Sequence, residues 1–182
     1  GVMASFSNAV HRSFFAKIAI WLLEGSRDMT LYPTLPLSND GKYEFTYDSK
    51  RYSVMPKLEG QDPDVPGINV LLLGDIDVTP GRLRTKRFIT PVAIDVVREL
   101  AAGESPISLA AKLKEVSEVV DAVLRDGCLE IYDYSTPTPT YTNYNGYWVG
   151  EELSWRNESL PEEGGFIRFI IEFGVQWTEK TI

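Results

Sequence analysis

The 182-residue chain has one cysteine, Cys128, and one histidine, His11. A single cysteine excludes an intrachain disulfide and suits a reducing compartment or a fold that needs no bridge. One His and one Cys cannot furnish a zinc site of the usual His/Cys kind. A Ser-His-Asp or Cys-His relay would have to use His11, and no residue near it in sequence completes one. Cys128, between Gly127 and Leu129 at the start of an apolar run, reads as a small buried residue. Basic charge is also scarce. Lys and Arg number 18 against 26 Asp and Glu, for a net charge of −8. Phosphate contacts need clustered cations, so this balance argues against a nucleic-acid binder. The longest apolar stretch near the start, residues 13–23, contains Lys17 and is too short to span a bilayer. It also lacks the small-residue cleavage site of a signal peptide. No Walker A loop or dinucleotide fingerprint is present.

The apolar fraction of 43% supports a real core at this length. Eleven Pro and fourteen Gly point to a turn-rich β protein. The chain reads as one domain over 1–182, with a loop and hairpin insertion at 26–66 and a Tyr/Thr/Pro-rich excursion at 133–150. Residues 5–23 read as a helix, with Phe6, Val10, Phe14, Ile18 and Trp21 on one stripe. Ser5 or Ser7 is its cap and Gly25 its stop. Residues 26–41 read as loop. Lys42–Asp48 and Arg51–Lys57 form a hairpin, with Tyr43, Phe45 and Tyr47 alternating. Ile68–Val78 is a strand that Gly74 bends. Arg84–Glu99 is extended, with Phe88, Thr90, Val92, Ile94 and Val96 on one face. Pro91 inside it implies an edge or a bulge. Ser105-Pro106 opens the clearest helix, which carries Leu109, Leu113, Val116, Val120 and Val123 and ends at Arg125 and Gly127. Leu129–Tyr134 returns as a strand.

The final strand runs from Gly165 to Trp177. Ile167, Phe169, Ile171, Phe173, Val175 and Trp177 make one apolar face. Phe166, Arg168, Ile170, Glu172, Gly174 and Gln176 make a mixed one. At about 3.3 Å per residue it spans about 40 Å, twice an ordinary strand. Its apolar face is expected to pack on Leu113, Val116, Val120 and Val123. Residues 135–147 carry no charge, two prolines and three tyrosines. Rings of this kind suit an interface, because they combine large area with a polar tip.

Chemistry-bearing sets are few. Asp75 and Asp77 lie two apart on one strand face, and Asp62 and Asp64 form a second pair in a loop. Either pair could hold a divalent cation, but solvated acidic pairs are common on such strands. Arg82, Arg84 and Lys86 share one side of a strand, beside Arg87. Such charges protect a strand edge, or meet an acidic neighbour such as another copy of this chain.

The stretches Thr90–Val97 (TPVAIDVV), Ser108–Leu113 (SLAAKL) and Arg168–Trp177 (RFIIEFGVQW), in this order of elements, resemble the tail terminator and tail-completion proteins of long-tailed bacteriophages. The resemblance covers residues 5–24 and 68–177 by pattern. Residues 26–66 and the 133–150 excursion are longer than that pattern implies. It implies an α+β fold, with the N-terminal and central helices on one face of a mostly antiparallel sheet. It also implies a virion protein rather than an enzyme, without cofactor or metal. Such a protein forms a homo-oligomeric, hexameric ring between the tail tube protein and the head-side connector protein. DNA passes through the lumen without sequence-specific binding, and no membrane is involved. On this reading Tyr141, Tyr144, Tyr147 and Trp148 make subunit contacts, with Arg82, Arg84 and Lys86 as charge partners. Arg168, Glu172 and Gln176 line the lumen or meet a neighbour. Two other classes stand beside it. One is a small α+β adaptor that grips a partner through the tyrosine-rich loop 135–148. The other is a metal-dependent hydrolase built on the aspartates.

Overall fold

A computed structural model describes residues 5–37, 42–47, 50–57, 66–81, 84–100, 102–160 and 166–180. The first helix, α1 (Phe6–Glu24), starts where the Ser5 hydroxyl accepts the Asn8 N–H at 3.1 Å. It stops at Gly25, whose φ of 59° is the left-handed conformation that glycine adopts at no steric cost. The predicted stripe is buried except for half-buried Trp21, but burial does not stop there. Every residue from Ser13 to Ile20 is buried, so α1 is a core helix rather than a one-sided surface helix.

The sheet explains this. β1 (Tyr43–Tyr47) and β2 (Lys50–Lys57) pair antiparallel, as the alternation predicts. Their turn lies outside the described residues, as do the side chains of Phe45 and Tyr47. β2 runs parallel to β3 (Gly67–Leu72). A short β4 (Ile76–Asp77) follows, and both β3 and β4 lie antiparallel to β5 (Arg87–Glu99). After α2 (Pro106–Arg125) come β6 (Leu129–Asp133), β7 (Thr140–Leu160) and β8 (Phe166–Thr178). The spatial order is β1-β2-β3-β5-β8-β7-β6, with β4 also on β5. Helix α1 touches β6 at one extreme of this order and β1 and β2 at the other. The sheet therefore curls around α1. Residues 26–41, expected to be loop, contain a short 3-10 turn at Met29–Thr34 that also packs on α1. The fold is α+β, and its sheet is mostly antiparallel.

Register gives the two sheet faces. Phe88, Thr90, Val92, Ile94 and Val96 of β5 oppose Trp177, Val175, Phe173, Ile171 and Phe169 of β8. With Ile68 and Val70 these form the face under the helices, inside one hydrophobic cluster. α2 lies against β8 and β5, with Leu109, Leu113, Val116 and Val120 buried. It begins as predicted, with Ser105 Oγ accepting the Ser108 N–H at 3.1 Å. The side chain of Val123 lies outside the described residues. The long apolar face of β8 has a second partner that its pattern did not indicate. Phe14 of α1 packs on Phe173, and Phe6 packs on Trp177, at ring distances of 5.8 Å each.

Pro91 sits in a central strand, between β3 and β8, not on an edge. Its carbonyl accepts the Leu73 N–H at 3.0 Å, so its nitrogen faces the β3/β4 side. That neighbour is interrupted at residues 73–75. The missing donor thus falls opposite an irregularity, the bulge alternative of the proline rule.

Candidate interaction surface

The tyrosine-rich segment is only partly a loop. Residues 134–139 connect β6 to β7, and from Thr140 onward the chain is strand. Tyr132 opposes Tyr141, but Ile131 opposes Tyr144, so β7 carries two extra residues at this point. One of them, Asn143, has φ 63°, a conformation Asn tolerates better than most residues. Beyond the bulge, Tyr147 opposes Gln176 and Trp148 opposes Val175. Trp148 therefore points to the helix face. It packs edge-on against Phe14 and Phe173, at 6.0 and 5.8 Å. Tyr147 points to the other face and is 59% exposed. Tyr144, 42% exposed, sits edge-on to Phe6 and beneath the Lys180 ammonium, 4.7 Å from its ring centroid. Tyr141 is half-buried, and its hydroxyl donates to Asn145.

β5 begins where β8 ends. Arg87 opposes Thr178, and the Glu179 N–H donates to the Lys86 carbonyl at 2.8 Å. Arg84, Lys86 and Arg87 are exposed here, and Arg87 lines a cleft with Tyr144 and Tyr147. Arg82 lies outside the described residues. Two segments some sixty residues apart in sequence, the basic cluster and the tyrosines, thus meet at one end of the sheet. Ile76, 53% exposed, shares a face with half-buried Ile89 and adds apolar area beside them.

The mixed face of β8 divides along its length. Arg168 is bound in both directions by Asp95 of β5, with Nε donating to Oδ1 at 3.1 Å and Nη2 to Oδ2. Asp95 opposes Ile170 and Arg168 opposes Val97, so this is a diagonal cross-strand pair. Glu172 is exposed, and Gln176 is half-buried near Tyr147.

Asp75 and Asp77 do not act as a pair. Asp77 accepts from the backbone and hydroxyl of Thr79. Asp75 lies in the break between β3 and β4. It accepts from Ser7 Oγ, from Thr90 Oγ1 at 2.6 Å and from His11 Nε2 at 2.9 Å. Thr90 Oγ1 in turn accepts the Trp177 indole N–H at 2.8 Å. Burial acts to raise the Asp75 carboxyl pKa, but the bonds from Ser7, Thr90 and His11 outweigh it and hold it below the ordinary carboxylate value. Ser7 and His11 both bind the carboxylate and not each other, so the set is a tether for α1 rather than a nucleophile-base relay. The i, i+4 spacing of Ser7 and His11 was the legible signal for it. The partner, Asp75, comes from far along the chain. Among the described residues no group of three or more His, Cys, Asp or Glu is placed to hold a metal ion. Asp62 and Asp64 lie outside them. Cys128 is half-buried, more exposed than expected.

No family model matches the chain, and no curated protein matches it. Among the described residues no helix is long and apolar enough to cross a membrane.

Proposed function

We propose that the chain is a structural subunit of a bacteriophage virion, of the tail-terminator type. It assembles as a ring that caps the tail tube and joins it to the head-side connector. The observation that carries this reading is the convergence of exposed Tyr144 and Tyr147 with exposed Arg87 in one cleft at an end of the sheet. Aromatic rings and arginines are the residue types enriched where proteins meet. Tyr144 and Tyr147 keep much of their rings uncovered in the folded monomer, although Tyr144 also touches Phe6. The acidic chain suits a lumen that must let DNA slide, since like charge repels phosphate.

Negative-stain electron microscopy tests the reading. Rings are expected for the chain alone or on addition of tail tubes, and Tyr144→Ser with Tyr147→Ser should reduce them. A protein that stays monomeric with tail tubes present would overturn it. The exposure of the same two tyrosines also favours a second reading, an adaptor that grips an unlike partner through residues 135–148. That reading predicts a one-to-one complex and no rings.

A further inference from the structure

We infer that the cleft at the tyrosine end of the sheet receives a carboxylate side chain from a second copy of this chain. This rests on the assembly reading above and names the chemistry of its contact. The cleft holds about 360 Å³, and Arg87, Lys180, Asn143, Asn145, Gln176 and Thr178 supply its polar wall. Every one of these side chains can donate a hydrogen bond, two are cationic, and among the described residues no carboxylate lines the cleft. Arg87 is exposed at the first position of β5. Its planar fork matches a carboxylate with two parallel bonds. Lys180 is held over the Tyr144 ring, which orders a second cation in the cleft.

Charge decides the occupant. The whole chain is at −8, yet this end gathers Arg84, Lys86, Arg87 and Lys180 against Asp77, Glu179 and Glu130, the last across from Asn145. β5 runs about 40 Å at the usual rise per residue and ends on exposed Glu99. Of the described side chains near that far end, Arg98 is paired with Glu104 and Arg168 with Asp95. A two-fold contact that set cleft against cleft would bring like charges together. A head-to-tail contact sets the basic end of one copy against the acidic surface of the next, and such contacts close into rings or grow into filaments.

Carbodiimide coupling, which joins an amine to a carboxylate in direct contact, tests this on an equal mixture of isotopically light and heavy full-length chains. The expected products link Lys180 or Lys86 of one label to an Asp or Glu of the other, and high salt suppresses them. Arg87→Glu is expected to weaken assembly about tenfold or more in sedimentation. Arg87→Lys, which keeps the charge and loses the fork, is expected to fall between. Thermal unfolding of Arg87→Glu checks its fold; should it fail, the coupling map of the unmodified chain still decides. Rings that form normally in Arg87→Glu, with inter-copy links elsewhere, would overturn the cleft and leave the ring. Neither rings nor inter-copy links in the unmodified chain would remove both.

Discussion

Phe173 shows how much one side chain carries. It is buried between Phe14 of α1 and Trp148 of β7, so it joins three elements. Phe173→Ala is expected to cost about 3–5 kcal/mol in urea denaturation, the sum of lost transfer energy and a residual cavity. Asp75 acts through charge. Its folded pKa lies below the ordinary 3.8, so the carboxylate is favoured in the native state. The stability this adds is complete above 3.8 and is lost progressively as pH falls from there through the lower folded value. Asp75→Asn is therefore expected to flatten that part of the stability-pH curve, measured by denaturation at a series of acidic pH values. An unchanged acid limb would mean the three hydrogen bonds carry no net preference for the charged form.

Helix α1 does more than fill the curl of the sheet. β6 is the last strand in the order, and its outer backbone groups face α1. Ser13 Oγ accepts the Tyr132 N–H at 2.9 Å and donates to the Tyr132 carbonyl at 3.3 Å. Lys17 Nζ donates to the Cys128 carbonyl at 3.2 Å, and Arg12 Nη1 to the Tyr134 carbonyl at 3.3 Å. An open strand edge is a template for another chain, and these side chains occupy it. This accounts for two buried polar residues, Ser13 and Lys17, on a helix whose other buried residues are apolar. The lysine pKa is lowered, chiefly by that burial. Ser13→Ala strands one donor and one acceptor in the core and is expected to cost about 1–3 kcal/mol. Amide exchange at Tyr132 should accelerate with it; continued protection there would mean that β6 is held by β7 alone.

For the whole molecule, the distribution of charge matters more than its sum. Paired charges, Arg168 with Asp95 and Arg98 with Glu104, tie the strands and the start of α2 together. Exposed Arg84, Lys86 and Arg87 lie at the end of the sheet where Tyr144 and Tyr147 are exposed. With a net charge of −8, the chain is expected to give no discrete complex with duplex DNA at physiological salt in a mobility-shift experiment. A persistent complex would sink the lumen reading, since a tight grip on phosphate would hold DNA in place.

Periodicity alone revealed most of the elements. The faces of β5 and β8, the Ser105-Pro106 helix start and the Gly25 stop are local consequences of side-chain alternation and terminal hydrogen bonding, and they appear where the pattern puts them. The resemblance sets Trp148 beside Tyr144 and Tyr147 at a subunit contact, yet alternation across the sheet sends it inward. Pro91 reads as an edge or bulge residue, and only the break in β3–β4 shows why a central strand tolerates it. The full burial of α1 could not be read from its stripe, because curling of the sheet brings β1, β2 and β6 to its other sides. The Asp75 tether and the basic, tyrosine-lined cleft likewise join residues from distant segments. Local sequence sets which face of each element is apolar; pairing register and sheet curvature set which of those faces, and which charges, meet.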